Sequence, residues 1–234
     1  MTRYLSLVLA VALLTLGGCA TKAQRTVPLG QSTLDQTVGA IGVAMAPMPV
    51  GDMSFPGANC LLCMAAASMA NTSLTSYAHT LQSADLSAIK GEVIARLKQR
   101  GNEVVDLSEP LDVTKLPDAS KSGPNIALKD FSSLGEKYKI KKLVLINIQS
   151  IGFVRNYSAY IPNGAARAQV TGNGYVVDLE SNAYQWYLPV SVTKSAEGAW
   201  DEPPKFPGLT NAYYLAIETA KDRFLEPLKK KDDE

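Results

Sequence analysis

Two cysteines separated by two residues are the sharpest candidate for chemistry in this chain, in the run Cys60-Leu61-Leu62-Cys63. When such a pair lies at the N-terminus of a helix, the pKa of one thiol falls and the resulting thiolate can exchange disulfides with a partner. In an oxidising compartment the same pair also forms a local structural disulfide, or the two thiols stay buried and inert. We favour the structural interpretation of Cys60 and Cys63 and keep thiol exchange as the alternative.

The residue types give little support for a metal site or for a hydrolytic active site. Cys60 and Cys63 supply two of the four ligands that a structural zinc site needs, and His79, the one histidine, adds at most a third. The remaining cysteine, Cys19, directly follows the apolar amino-terminal run and is expected to carry lipid rather than metal. His79 lies in the polar stretch SYAHTLQS, which is typical of a solvated or hydrogen-bonded histidine rather than a catalytic base. Gly172-Asn173-Gly174 falls inside a predicted strand and indicates a bulge or a close backbone approach. We therefore expect no enzyme, no metal, no cofactor and no small-molecule ligand.

Length and charge narrow the class of protein. The 234 residues suffice for one domain with a tail. Hydrophobic residues make up 46% and charged residues 19%, which is typical of a globular chain. Lys and Arg total 23 against 22 for Asp and Glu, so no basic footprint for nucleic acid is present.

The amino terminus predicts export and lipidation. A positive start ending at Arg3 precedes the apolar run Tyr4 to Leu16, which is too short to span a membrane and fits a secretory signal. Leu16-Gly17-Gly18-Cys19 then resembles the lipobox of bacterial lipoproteins. That resemblance implies a signal peptide over residues 1–18, lipidation of Cys19 and a membrane anchor there. Ala20, in place of the Asp that retains many lipoproteins at the inner membrane, favours the outer membrane, facing the periplasm.

The mature chain divides into a tether, one domain and a tail. Residues 19–36 show no sustained period and are predicted to be a flexible tether. Residues 37–229 form a single domain, and residues 230–234 are a charged, solvated end. The segment 57–70 is apolar and uncharged but too short to cross a membrane, which predicts a buried or interface helix.

Apolar periodicity predicts the elements of that domain. Residues 38–50 begin as a buried strand, and residues 102–107 form a short one. Helical spacing connects Leu86, Ile89, Val93 and Leu97, then Leu128, Phe131, Leu134 and Tyr138, and finally Tyr213, Ile217, Ala220 and Phe224.

The second half of the chain predicts an antiparallel meander. The run LVLINIQSIGFV is a central strand, and residues 166–179 and 184–193 form a hairpin around the turn at residues 180–183. Alternation assigns one buried face to the second strand, and Pro189 places that strand at a sheet edge. The expected fold is α/β (α+β), with a mixed sheet of about four to five strands, this C-terminal meander and helices packed on the sheet. The proposed inner face of the second strand comprises Tyr184, Trp186, Leu188, Val190 and Val192.

The connection at residues 156–165 is long for a hairpin loop. It carries Tyr157, Tyr160 and Ile161 on a segment that must run over the surface. Aromatic side chains on loops are common anchors of protein interfaces. We therefore nominate these three residues as a partner-binding site, with a local cap over the sheet edge as the alternative.

Four segments follow one another along the chain, namely the lipobox, RGNEVVDL, LGEKYKIKKLVLINI and the meander GYVVDLESNAYQWYLPV. In this order they resemble the segments of a group of bacterial lipoproteins. The group includes the curli secretion lipoprotein, the lipoprotein activators of penicillin-binding proteins, small uncharacterised surface lipoproteins and the amino-terminal domain of TolB. Asp178, Leu179 and Trp186 match its hairpin pattern, whereas Ser181-Asn182-Ala183 replaces its usual Thr-Gly turn.

The resemblance implies fold more strongly than function. We expect a non-catalytic outer-membrane lipoprotein that docks or regulates an envelope protein or assembly. A secretion or pore subunit is one alternative, and a periplasmic thiol oxidoreductase that uses Cys60 and Cys63 is the other.

Overall fold

A mixed sheet organises the chain. The computed structural model describes residues 24–34 and 39–229, so the signal peptide, Cys19 and the charged tail lie outside the described residues. Within the described ranges six strands join in one sheet, in the spatial order residues 104–106 (β3), 41–45 (β1), 142–154 (β4), 167–178 (β7) and 183–195 (β8), with residues 52–54 (β2) also paired to β4. The fold is therefore the α+β class that the sequence predicts. The strands of this sheet are β1 (Ile41–Met45), β2 (Asp52–Ser54), β3 (Val104–Asp106), β4 (Lys142–Val154), β7 (Arg167–Asp178) and β8 (Ala183–Ser195), and a separate small hairpin contains β5 (Tyr157–Ser158) and β6 (Ile161–Pro162).

Strand direction reverses twice across the sheet, between β4 and β7 and again between β7 and β8. β1 runs parallel to β3 and β4, and β2 runs parallel to β4. β4 is antiparallel to β7, and β7 is antiparallel to β8, so the predicted meander is confirmed. β1 is buried along its whole length, as expected for a strand with parallel partners on both sides. β8 ends the strand order, and Pro189 is therefore on an edge strand as predicted.

Helices cover the sheet. α6 packs on β7 and β8 and buries Tyr213, Ile217, Ala220 and Phe224 to 1% exposure or less, which confirms the predicted stripe. The stripe Ile89, Val93 and Leu97 is likewise buried, and Gly101, at φ +79°, follows the end of its helix. The helices are α1 (Leu61–Ala70), α2 (Thr72–Ala78), α3 (Ala84–Ser87), α4 (Ile89–Gln99), α5 (Ser132–Tyr138) and α6 (Pro207–Leu225).

A bulge corrects the predicted inner face of β8. Val176 pairs with Trp186 whereas Val177 pairs with Tyr184, so Gln185 is an extra residue in β8. One extra residue moves all side chains on one side of it to the opposite face. Tyr184 therefore packs against Tyr175 and Tyr187 on one face, whereas Trp186, Val190 and Val192 contribute to the core on the other.

Two further predictions need correction. The second predicted helix begins only at Ser132, and Leu128 is 79% exposed because it precedes α5 in an irregular segment. The sequence predicts a flexible tether through residue 36, but residues 24–34 pack on the domain. Val27 exchanges two backbone hydrogen bonds of 2.9 Å with Tyr187 at the β8 edge, and Leu34 is buried. Within the described ranges, no helix is both long and apolar enough to cross a membrane.

Candidate interaction surface

Helix α1 turns most of its apolar surface away from the domain. Only Cys63 and Ala67 are buried, one turn apart on the side that faces the domain. The sequence leaves open whether this helix is buried or lies at an interface. The remaining large side chains of α1 are exposed although they are hydrophobic. Their exposed fractions are 87% for Leu61, 70% for Leu62, 43% for Met64 and 79% for Met69.

Both ends of α1 are fixed by side chains. At the start, the sulfur of Cys60 accepts a 2.9 Å hydrogen bond from the backbone N–H of Cys63, which is a helix-capping contact. At the end, buried Asn71 donates to Ala67 O and to Tyr157 Oη, both at 2.7 Å. The Asn71 amide oxygen accepts from Arg155 Nη1 at 3.2 Å. The Ala-rich interior favours helix between these contacts, so the exposed face is held in place rather than frayed.

Cys60 and Cys63 are joined by a disulfide in the structure. The two sulfurs have different surroundings, because Cys63 is 2% exposed whereas Cys60 belongs to the exposed residues. Tyr160 Oη lies 3.6 Å from Cys60 Sγ. A disulfide sulfur carries no proton, so the tyrosine hydroxyl is the group able to donate. This contact places the β5–β6 hairpin against the start of α1.

The three residues nominated on the hairpin have different environments. Tyr157 is 5% exposed and packs edge-on against Phe55 with 5.8 Å between ring centroids. Its nomination as a partner contact is therefore wrong, because its ring belongs to the core and its hydroxyl accepts the Asn71 hydrogen bond. Tyr160 and Ile161 are 55% and 68% exposed. The two interpretations of this loop, a cap over the sheet edge and a partner-binding site, thus apply to different residues. Tyr157 is the cap, whereas Tyr160 and Ile161 face outward.

We call the combined region the α1–hairpin surface. Burying one Leu, Ile or Met side chain fully stabilises a protein by about 1.5–3 kcal/mol, so leaving several in water forgoes a large stabilisation. Contiguous apolar exposure of this kind marks interaction sites. The sequence signalled this surface through the uncharged segment 57–70 and through the nomination of Tyr160 and Ile161. The surface comprises Leu61, Leu62, Met64, Ala65, Ala66, Met69, Tyr160 and Ile161.

Charge is absent from this part of the chain. No charged residue occurs between Asp52 and His79 in the sequence. These two flanking residues contact each other, with His79 Nε2 3.4 Å from Asp52 Oδ1. Arg155, which contacts Asn71, stacks over Trp200 at 4.5 Å from the ring centroid. The residues of the α1–hairpin surface therefore offer apolar contact area, and Arg155, beside Asn71, is a charged neighbour at its edge.

The other candidate chemical residues have structural surroundings. A Cβ at Gly172 would lie 2.4 Å from Asn147 O, and one at Gly174 would lie 2.8 Å from the Trp186 ring. The glycines therefore permit close packing, as the sequence indicated. Across residues 24–34 and 39–229 no group of three or more His, Cys, Asp or Glu is placed to hold a metal ion.

A tyrosine cluster lies on the sheet face opposite α6. Tyr184 lies 5.3 Å from Tyr175 and 5.0 Å from Tyr187 between ring centroids. Burial, with the neighbouring Tyr187 as a second cause, raises the pKa of Tyr184 to about 12. Burial also raises the pKa values of Tyr175 and Tyr187. The cluster therefore favours the neutral form of all three phenols.

The α1–hairpin surface and the N-terminal segment lie at opposite ends of the sheet. β2 and the hairpin adjoin the carboxyl end of β4, where Gly152 pairs with Asp52. Val27 instead bonds to Tyr187, which pairs through Tyr175 with Leu145 near the start of β4. At about 3.3 Å per residue the strand separates these positions by roughly 23 Å.

Comparison with known proteins finds only distant structural neighbours. No family model and no curated protein matches the chain. A PelC dodecamer from Paraburkholderia phytofirmans is 10% identical, with 88% of this chain and 98% of that chain covered and a TM-score of 0.31. Protein XCC0632 from Xanthomonas campestris is 8% identical, with coverages of 88% and 89% and a TM-score of 0.36. Lipoprotein GNA1162 from Neisseria meningitidis is 14% identical, with coverages of 77% and 96% and a TM-score of 0.27. At these values the similarity assigns neither a family nor a function to this chain.

Proposed function

We propose that this chain is a non-catalytic, lipid-anchored protein of the bacterial outer membrane that works by holding another protein. The observation that carries the proposal is the α1–hairpin surface, whose large apolar side chains are fixed in position and exposed. Leu61 and Met69, at 87% and 79% exposure, contact little of their own domain. The lipobox supports the anchor at Cys19.

The kind of partner follows from the same surface. It carries no charge, so an ionic ligand or a nucleic acid gains nothing there. Its exposed alanines allow a helix or strand to approach closely, and Tyr160 supplies a large contact area with few rotatable bonds to order. The expected occupant is an apolar protein surface.

Site-specific photo-crosslinking in intact cells tests this proposal. A photoreactive residue at Leu62 should give one discrete protein adduct, which mass spectrometry identifies as an envelope protein or as this same chain. The matched control is Glu218, an exposed position on α6, which should give none. Ala65→Glu should abolish the Leu62 adduct without lowering the melting temperature, because Ala65 is exposed. Adducts with lipid alone, or equal adducts at both positions, would contradict the proposal.

A thiol oxidoreductase is the second candidate, favoured by one observation, the exposed Cys60 sulfur beside buried Cys63. A thiolate of the partner would attack Cys60 Sγ, breaking the Cys60–Cys63 bond and releasing the Cys63 thiolate. A second partner thiol would then displace Cys60, leaving a partner disulfide and the reduced pair. In the reverse direction, the Cys60 thiolate of the reduced pair attacks a partner disulfide and releases one partner thiolate, and Cys63 then attacks Cys60 Sγ and releases the other. Without Cys63 this second step cannot occur, so Cys63→Ser should trap the mixed disulfide in cells, whereas Cys60→Ser, which leaves only the buried thiol, should not. Failure of Cys63→Ser to trap any protein would eliminate this candidate.

A further inference from the structure

The exposed face of α1 carries a row of side chains that is complementary to the same row on a second copy. Leu61, Ala65 and Met69 are four residues apart and form one row along the exposed side. The row is large, small, large, with Ala65 at its centre. If a second α1 crosses this row in the opposite direction at Ala65, Leu61 of each copy meets Met69 of the other and the two alanines meet each other.

We infer that the occupant of the α1–hairpin surface is a second copy of this chain, joined through an antiparallel pair of α1 helices with its two-fold axis at Ala65. The inference rests on the proposed function, since it names the partner of the same surface. A two-fold interface uses one patch twice, so that patch must be complementary to itself.

Charge favours self-pairing over a charged partner. A patch of one sign would repel its own copy. The segment between Asp52 and His79 contains no charged residue, and the whole chain has a formal net charge of +1. The α1 helix and the β5–β6 hairpin therefore place no charged residue of their own against a second copy, and the low net charge leaves little long-range repulsion.

The hairpin selects the antiparallel direction. Tyr160 lies at the start of α1 through its contact with Cys60. In an antiparallel pair, the hairpin of one copy therefore lies towards the end of the other α1, where Met69 is. A parallel pair would bring the two hairpins together and leave Met69 facing only Met69. Antiparallel helix dipoles also attract, and small central residues permit the short interaxial distance of about 8–10 Å.

A charge-pair experiment on the full-length lipidated chain in detergent tests this arrangement by light scattering. The wild-type chain should be a dimer at micromolar concentration. Leu61→Lys and Met69→Glu should each weaken dimerisation at least tenfold, because each buries an unpaired charge at the interface. The double variant should recover the dimer, since the introduced lysine of one copy would meet the introduced glutamate of the other.

Controls separate the outcomes. Leu215→Lys, at a 47% exposed position on α6, should leave the dimer intact. Every variant should still unfold in one cooperative thermal transition, and the monomeric variants should unfold at a somewhat lower temperature because they lose the stabilisation that dimerisation provides. A monomeric wild type, or a double variant that stays monomeric, overturns the antiparallel dimer. If the Leu62 photo-adduct then identifies another envelope protein, the proposed function stands without this inference. If that adduct is also absent, both fail.

Discussion

Tyr157 and Tyr160 are three residues apart and have opposite surroundings, which makes the hairpin a sensitive test at the scale of single residues. Tyr157→Ser removes a buried ring and one of the two hydrogen-bond acceptors of the Asn71 side-chain amide. We expect a loss of about 3–5 kcal/mol in the free energy of unfolding, the range for removing a large buried aromatic side chain. Urea denaturation measures this loss.

The matched control is the exposed pair of the same hairpin. Tyr160→Ser combined with Ile161→Ser should change the free energy of unfolding by less than about 0.5 kcal/mol, the usual limit for surface positions. The same double variant should weaken partner binding. Equal destabilisation by the buried and the exposed substitutions would contradict the different roles given to these tyrosines.

Tyr184 predicts alkaline sensitivity. Its folded pKa of about 12 lies above the ordinary value of 10.0, so the neutral phenol is favoured in the folded chain. The stabilisation is complete below pH 10 and is lost as the pH rises from about 10 to about 12. The midpoint of urea denaturation should therefore fall across this window.

Tyr184→Phe should fall less steeply over the same pH range, because one group whose pKa differs between the folded and unfolded states has been removed. Tyr175 still titrates in the same direction, so some dependence should persist. Parallel pH profiles for the two proteins would show that Tyr184 is not linked to folding.

At the scale of elements, α6 is the helix on which the sheet depends most. Phe224 is completely buried beside Gly174. Phe224→Ala should cost about 3–5 kcal/mol, because it leaves a cavity in a packed core. Leu215→Ala, on the exposed side of the same helix, should cost a small fraction of that. Thermal or urea unfolding of the two variants compares them, and similar losses would mean that the helix is packed differently.

Periodicity predicts some elements well and others poorly for identifiable reasons. The α4 and α6 stripes are regular and their buried positions follow from spacing alone. Alternation assigns Tyr184 to the wrong face because the bulge at Gln185 interrupts an otherwise clear pattern. The burial of Tyr157 depends on Asn71, a distant residue in the sequence. The apolarity of α1 predicts that the helix is covered, but composition alone does not reveal which side meets the domain.

At the scale of the whole molecule, the N-terminal segment belongs to the folded unit. Leu34 is 1% exposed, its carbonyl accepts from Asn102, and the neighbouring Thr33 carbonyl accepts from Lys142 at 2.8 Å. Leu34→Ala should therefore lower the free energy of unfolding by about 2–5 kcal/mol. Ser32→Ala, at an exposed position, is the control. If Leu34→Ala lowers the free energy of unfolding no more than the control does, residues 24–34 belong to the flexible tether that the sequence predicts.

The anchor is tested separately. Mass spectrometry of the mature protein should find Cys19 as a lipidated first residue, and Cys19→Ala should release the protein from membranes. Retention of residues 4–18, or firm membrane attachment of Cys19→Ala, would contradict this expectation. Because the signal at the amino terminus depends on order and residue type, it can be predicted from sequence, whereas the docking of residues 24–34 requires knowledge of the distant β8 edge.

Because the contact between Val27 and Tyr187 is small, the N-terminal segment is an extensible connection between the domain and Cys19. A pull on the chain toward Cys19 acts first on the Gln24–Asn125 hydrogen bond and the two Val27–Tyr187 backbone hydrogen bonds, then on half-buried Leu29 and finally on buried Leu34. Peeling residues 24–33 from the sheet edge would lengthen the connection by up to about 35 Å, at roughly 3.5 Å per extended residue, while the sheet stays intact. In single-molecule stretching from the amino terminus, this release should give a short, low-force step before the main unfolding event. A record with a single unfolding step would show that the N-terminal segment and the sheet unfold together.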